Sequence, residues 1–217
     1  MALSLALSIY VDEKRWQEVK DLSDIAQEWD ITPDYERELS YALALAHENL
    51  GELEKSRALW RGLGGNMDLD PAQRAYAVHF LARRALEERK LKLAHQYAEE
   101  SLSLLLKSGG EDVGKIKDNL RILIDVSETS GRPREALQWS TEYEKYLGPD
   151  EEGWGALRYR MAGLYKKAGD LDTWRTILED LSERRPNSLY GRMADSDLET
   201  FSLEQAAGQY APKPTFQ

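Results

Sequence analysis

Residues 157–186, LRYRMAGLYKKAGDLDTWRTILEDLSERRP, decide the fold class of this chain. In their second half the apolar residues recur three and four positions apart, at Leu171, Trp174, Ile177, Leu178 and Leu181. This spacing places them on one face of a helix, which Pro186 is expected to end. A polar turn at Gly169-Asp170 separates this helix from a second helical pattern before it. The stretch therefore predicts two helices joined by a tight turn.

Similar polar turns recur along the chain with a nearly constant spacing. They occur at Glu13-Lys14, Gly51-Glu52, Arg89-Lys90, Gly131-Arg132 and Gly169-Asp170. Measured from positions 14, 51, 89, 131 and 169, consecutive turns are 37, 38, 42 and 38 residues apart. No run of strictly alternating apolar residues bounded by hairpin turns competes with the helical period. The sequence therefore predicts an all-α fold built from repeated helix hairpins.

The repeats resemble the tetratricopeptide repeat (TPR) family in a degenerate form. Residues 157–186 match the family's spacings at Met161-Ala162, Tyr165, Gly169, Leu178 and Pro186, and Leu43-Ala44, Gly51 and Trp60 repeat part of the pattern. The departures from the pattern are Arg158, Ser56, Trp174 and Arg89, at positions where the family has Trp, Ala, Ala and Gly. In family terms, Ala44, Ala82 and Ala162 allow close helix approach, while Trp60 and Tyr165 fill the gaps between hairpins.

The resemblance implies a right-handed superhelical solenoid of about five antiparallel hairpins within a single domain, residues 1–210. The hairpins are expected at approximately 1–30, 34–64, 71–107, 113–147 and 153–186. A capping helix is expected at 188–209, with Asn187 or Ser188 as its N-cap, because a repeat array must cover its terminal apolar face. Residues 211–217, APKPTFQ, are expected to form a flexible tail.

The stretch GGEDVGK, residues 109–115, has the G-x-x-x-x-G-K spacing of a nucleotide phosphate loop. Such a loop follows a strand and carries Ser or Thr after its Lys, whereas Ile116 stands here and a helical pattern precedes the stretch. Glu111 and Asp112 would also place carboxylates where backbone N–H groups should meet anions. We therefore interpret the stretch as extra loop residues between two repeats.

Composition restricts the classes of function. The formal net charge of −10 disfavours nonspecific binding to nucleic acid or to anionic membrane, and no segment approaches the length of apolar sequence that spans a bilayer. The chain has no cysteine, and His47, His79 and His95 are spaced 32 and 16 residues apart, which fits no ligand pair on one helix. We predict no catalytic site, no metal and no cofactor, and hence a protein that is not an enzyme.

In the TPR family the first helix of each hairpin lines a concave groove that holds a partner's peptide. The resemblance therefore implies a partner-binding groove at Glu38, Tyr41, Asn49, Tyr76, His79, Arg83, Arg121, Asp125, Glu128, Tyr159 and Lys166. Tyr and Arg are types that dominate binding hot spots. The family's Lys and Asn pair for C-terminal carboxylates is not met, since Tyr41 with Leu45 and His79 with Arg83 stand there, so binding of chaperone tails is not expected.

Two functions follow from these expectations. The first is a non-catalytic module that binds a protein or peptide segment in its groove as a scaffold, adaptor or assembly factor, without nucleic acid and without inserting into a membrane. The second is a structural protein that forms homo-oligomers, because residues 1–11 begin as an uncapped apolar helix. The composition suits the cytoplasm, with a fragment of a larger periplasmic protein as the alternative.

Overall fold

The computed structural model describes residues 2–26 and 28–210, and over these residues the chain forms eleven α-helices and no strand. The all-α prediction is confirmed. The chain folds into two compact units, Met1–Ile122 and Leu123–Gln217. The predicted tail at 211–217 lies outside the described residues, and the single domain over residues 1–210 stays a prediction.

Unit 1 contains three pairs of consecutive helices and the beginning of a seventh helix. The helices are α1 (Ala2–Asp12), α2 (Trp16–Ala26), α3 (Pro33–Asn49), α4 (Leu53–Gly65), α5 (Pro71–Glu87), α6 (Leu91–Lys107) and α7 (Val113–Thr129). Consecutive helices pack against each other from α1 to α6, and α1 also contacts α3. The boundary between the two units falls inside α7.

Unit 2 contains the end of α7 and four further helices. They are α8 (Pro133–Glu144), α9 (Glu152–Lys167), α10 (Leu171–Arg184) and α11 (Leu189–Tyr210). Helix α11 packs on both α10 and α9. It begins after Ser188, whose Oγ accepts a hydrogen bond from the backbone N–H of Gly191 at 3.0 Å. Of the two N-cap candidates in the sequence, Ser188 therefore caps the helix.

The five turns predicted from the sequence share one backbone geometry. Each contains a residue with positive φ, namely Lys14 (56°), Gly51 (78°), Arg89 (56°), Gly131 (69°) and Gly169 (82°). In each turn the next N–H donates to the carbonyl five residues earlier, as in Lys90 N to Ala85 O at 2.8 Å and Asp170 N to Tyr165 O at 2.9 Å. This is the Schellman arrangement that ends helices, and it favours glycine because glycine tolerates positive φ.

Helix starts are encoded by capping residues and prolines. Thr32 Oγ1 accepts from the N–H of Tyr35 at 3.3 Å, and Asp70 Oδ1 accepts from the N–H of Gln73 at 2.9 Å. Each cap is followed by a proline at the first helical position, where the missing N–H costs nothing. The sequence therefore sets where α3 and α5 begin without help from distant contacts.

Small residues bring the helices of each pair close together. Ala44, Ala82 and Ala162 are at most 1% exposed, which agrees with the role that the resemblance implies for them. Two buried serines bond the neighbouring helix directly: Ser56 Oγ donates to Ala44 O at 2.9 Å, and Ser101 Oγ donates to Ala75 O at 2.8 Å. At Ser56, where the family has alanine, the hydroxyl therefore adds a bond between helices with little added bulk.

The core of unit 2 follows the apolar stripe of residues 171–181. Trp174, Ile177, Leu178 and Leu181 are buried, while Leu171 at the helix start is 38% exposed. Phe201 of α11 contacts Trp174 edge-on with ring centroids 4.9 Å apart. Helix α11 therefore covers the apolar face of α10, which is the role of a capping helix.

The stretch GGEDVGK joins one helix to another, but only residues 109–112 lie outside the helices, since Val113 to Lys115 form the first turn of α7 and not loop as predicted. Gly109 and Gly110 have φ of 104° and 70° after the end of α6, and α7 begins at Val113. Asp112 Oδ1 accepts the N–H of Lys115 at 2.9 Å, so a carboxylate occupies the place where a phosphate loop would hold an anion. Among the described residues, no helix is both long and apolar enough to cross a membrane.

Candidate functional site

Unit 1 contains an open groove of about 1040 Å³, which we call the unit 1 groove. Three first helices of the hairpins line it, with Ser4, Leu7, Ser8, Val11 and Asp12 from α1, Asp34, Arg37, Glu38, Tyr41, Ala42 and Leu45 from α3, and Ala72, Gln73 and Tyr76 from α5, together with Leu63, Leu69 and Asp112. Its volume is at the upper end of the range for small-molecule sites, and it is partly open to solvent. The groove therefore suits a chain segment better than an enclosed small ligand.

An aromatic cluster supports one wall of the groove. Tyr41 contacts Trp60 with ring centroids 4.9 Å apart in a T-shaped arrangement, and it contacts Tyr76 at 5.0 Å. Trp60 stacks on Phe80 at 4.5 Å with an interplanar angle of 4°. Contacts of this kind contribute beyond the area that the rings bury. Tyr41 and Tyr76 are therefore held in place before any partner arrives.

Both groove tyrosines are in the neutral form. Burial raises the pKa of the Tyr41 hydroxyl well above its ordinary value. Burial also raises the pKa of Tyr76, and the nearby Asp112 carboxylate adds to this effect. The two hydroxyls therefore keep their protons and remain available as hydrogen-bond donors at the edge of an apolar wall.

The structure brings three of the residues predicted in the sequence together in this groove: Glu38, Tyr41 and Tyr76. Three others lie on exposed helix surface in unit 1, at Asn49, Arg83 and Arg121. They make local contacts: Asn49 Nδ2 donates to Leu45 O at 2.9 Å, Arg83 lies 5.4 Å from the Phe80 ring, and Arg121 Nη1 lies 3.1 Å from Asp118.

His79 lies in the core and not on a groove surface. It is 5% exposed, and its Nδ1 lies 3.0 Å from Asn119 Oδ1. Asn119 Nδ2 donates to Ser101 Oγ at 2.9 Å, and Ser101 donates to Ala75 O, so Asn119 Oδ1 is an acceptor and His79 Nδ1–H is its donor. A side chain held in this way offers no surface to a partner, which corrects the predicted groove contact at this position.

The chain of buried polar groups joins three helices, and the sequence alone did not predict it. Asn119 and Ser101 are both 0% exposed, on α7 and α6, and His79 is on α5. Burial lowers the pKa of His79, while the bond to Asn119 acts in the opposite direction. Asn119 could have indicated the network, because it is a polar residue within the apolar stripe of α7, three residues after Ile116 and four before Leu123.

The predicted site residues of unit 2 are engaged within that unit. Asp125 and Glu128 bind one guanidinium, with Arg160 Nη2 2.6 Å from Asp125 Oδ1 and Arg160 Nε 2.9 Å from Glu128 Oε2. Tyr159 donates its hydroxyl to Asp197 Oδ2 at 2.7 Å, and burial together with this bond raises the pKa of Tyr159 to about 12. Lys166 Nζ lies 4.7 Å from the centre of the Trp174 ring.

The polar residues considered for catalysis make ordinary structural contacts. His47 Nδ1 lies 3.0 Å from Glu52 Oε2, and His95 Nδ1 lies 3.5 Å from Glu99 Oε2. Within residues 2–26 and 28–210, no group of three or more His, Asp or Glu side chains is arranged to hold a metal ion. The groove in unit 1 is therefore the feature of the described chain with the strongest claim to function.

Solved structures of helical repeat proteins resemble this chain. Nearly identical TPR-like repeats of a kinesin light chain-like protein from Podosopora anserina match with a TM-score of 0.61 at 16% identity, over 85% of this chain and 93% of that one. BtubC (BKLC) from P. vanneervenii matches with a TM-score of 0.61 at 16% identity, over 99% of this chain and 83% of that one.

The fold is a degenerate TPR-like helical repeat. At this level of identity the likeness establishes the fold alone. No protein-family model matches the sequence, and no curated protein sequence matches it.

Proposed function

We propose that this protein is a non-catalytic interaction module that holds a segment of a partner protein in the unit 1 groove, as a scaffold, adaptor or assembly factor. The observation that carries the proposal is the groove itself: an open channel whose wall is a preformed aromatic cluster. Preorganised aromatic side chains reduce the entropy lost on binding and provide contact area. The fold supports the proposal, because helical repeats present extended surfaces to protein partners.

Blocking the groove without disturbing the core tests the proposal. Ser8 and Ala72 are exposed and line the groove from α1 and α5, so Ser8→Arg with Ala72→Arg fills it with two long side chains. The matched control is Gln96→Arg with Ser103→Arg on α6, which adds the same charge at exposed positions that do not line the groove.

The wild-type protein and both variants are used as bait in lysate of the source organism, and retained proteins are identified by mass spectrometry. We expect at least one protein to be retained by the wild type and the control and lost with the blocked variant. The same set of proteins on all three baits would remove the groove from the proposed function.

A second candidate function is self-assembly, which rests on the exposed apolar residues of the first two helices. Leu5 is 64% exposed and Ile9 42% exposed one turn later on α1, and Ile25 of α2 is 50% exposed. Contiguous exposed apolar residues often mark contacts between proteins. Light scattering that gives the mass of one chain at every accessible concentration would eliminate this candidate, whereas a dimer that Leu5→Lys dissociates would support it.

A further inference from the structure

The unit 1 groove carries an excess of negative charge. Four carboxylates line it, from Asp12, Asp34, Glu38 and Asp112, against the single guanidinium of Arg37, so the lining has a formal charge of −3. The residues come from three separate stretches of the sequence, which are the end of α1, the first turns of α3 and the turn before α7. A groove with walls of low dielectric constant concentrates the field of charges of one sign.

Two of these carboxylates already form ion pairs with neighbouring basic side chains. Arg37 forms an ion pair with Asp34, and Lys115 Nζ lies 3.5 Å from Asp112 Oδ2. Asp12 and Glu38 are exposed, and neither has an ion-pair partner among the described residues. The negative charge that remains for a partner is therefore carried by Asp12 on α1 and Glu38 on α3.

The aromatic wall already holds one ammonium group. Lys115 Nζ lies 4.0 Å from the centre of the Tyr76 ring, which is within the distance at which a cation is attracted to the face of an aromatic ring. Val11 and Leu45, which are half-buried, supply aliphatic surface beside the rings and the carboxylates. The lining thus combines the two surfaces that an amphipathic basic segment requires.

We propose that the unit 1 groove selects a partner segment in which Lys or Arg side chains flank Leu, Ile or Phe, with its positive charges placed at Asp12 and Glu38. This inference rests on the proposed function, since it names the chemistry of the segment that the groove binds. The selection is opposite in sign to the binding of carboxylate tails, for which the groove lacks the necessary Lys and Asn pair.

The probe for the first test is a fluorescein-labelled amphipathic peptide of Lys and Leu, compared with two relatives in which Glu replaces every Lys or Ser replaces every Leu. Fluorescence anisotropy measures binding of each peptide to the wild-type protein. We expect the Lys/Leu peptide to bind, with an affinity that falls as salt increases, and the other two peptides to bind at least about tenfold more weakly. Equal binding of the Glu/Leu or the Lys/Ser peptide would overturn the inference.

Variants of the protein then locate the charge. Asp12→Asn with Glu38→Gln removes the two unpaired carboxylates, and we expect about fivefold weaker binding of the Lys/Leu peptide, as for the loss of two exposed ion pairs. The matched control, Asp24→Asn with Glu100→Gln, removes the same charge at exposed positions of α2 and α6 outside the groove and should bind as the wild type does. An equal loss in both variants would assign the attraction to the overall charge of −10 and overturn the inference.

Failure of this inference and failure of the proposed function give different results. If the blocked variant loses a partner in lysate but no Lys/Leu peptide binds, the groove binds protein segments of another chemistry and only the inference falls. If the peptide binds equally to the wild type and to the blocked variant, the groove is not its site and the inference falls on its own. If the blocked variant retains the same proteins as the wild type and no peptide binds, both the proposed function and the inference are wrong.

Discussion

Substitution of Asn119 by Ala is predicted to destabilise unit 1 more than any change on its surface. The side chain is 0% exposed, accepts from His79 at 3.0 Å and donates to Ser101 at 2.9 Å. Losing two buried hydrogen bonds costs about 2 kcal/mol, and the unpaired His79 N–H left in the core adds about 1 kcal/mol at least. Ser101 keeps its bond to Ala75 O and therefore adds no further loss. The free energy of unfolding is expected to fall by about 3 kcal/mol in total.

The assay is urea unfolding followed by circular dichroism at 222 nm, with the midpoint and the slope compared between variants. Asn49→Ala on α3 is the matched control, because Asn49 is exposed and, among the described residues, its side chain bonds only to Leu45 O. The control is expected to change stability by at most about 0.5 kcal/mol, as for other surface positions. A loss below about 1 kcal/mol for Asn119→Ala would refute the network as a source of stability.

A double-mutant cycle separates the bonds from the space that the side chain fills. Asn119→Ala and Ser101→Ala are combined, and residues that share a hydrogen-bond network are expected to show a coupling of about 0.5 kcal/mol or more. Simple additivity of the two losses would mean that each residue acts by packing alone.

Three further outcomes follow from single groups. Burial lowers the pKa of His79, so the unfolded chain binds more protons than the folded one, and the free energy of unfolding should fall as pH drops below about 6.5. In urea titrations at pH 7 and pH 5, His79→Gln should reduce this loss of stability between the two pH values. Arg89→Gly should raise stability by about 0.5 to 1 kcal/mol, since Arg89 has φ of 56°, and a lower melting temperature would contradict this. Gly191→Ala should destabilise the protein by about 2 kcal/mol or more, since its Cβ would lie 1.9 Å from Arg185 O. Gly163→Ala, with open space at its Cβ, should stabilise its helix by about 1 kcal/mol. Similar melting temperatures for the two variants would argue against the packing at Gly191.

Local patterns are sufficient to predict the helices and their turns. Turn residues are selected by the backbone geometry that they adopt, so the glycines at positions 51, 131 and 169 indicate positive φ from the sequence alone. Only the spacing of the repeat places Lys14 and Arg89 in the same kind of turn, since neither residue type favours positive φ.

The candidate site is predictable only in part. Tyr41 and Tyr76 are expected in a groove and line it, because a regular repeat puts equivalent positions of the first helices on one side. Asp12 and Asp112 are not expected there, since they stand at helix ends, where a repeat pattern does not predict which surface a side chain joins. His79 fits the same positional pattern as Tyr76 and nevertheless lies in the core.

By itself, the sequence determined the all-α class, the helix hairpins, the turn at Gly169 and the linker at residues 109–112, because each depends on residues close together in the chain. Only the tertiary structure decided that Asn119 is buried against His79 and Ser101, and that Asp12 and Glu38 share a groove with Tyr76. The physical reason is that burial and local charge depend on which helices meet, and these residues come from five different helices.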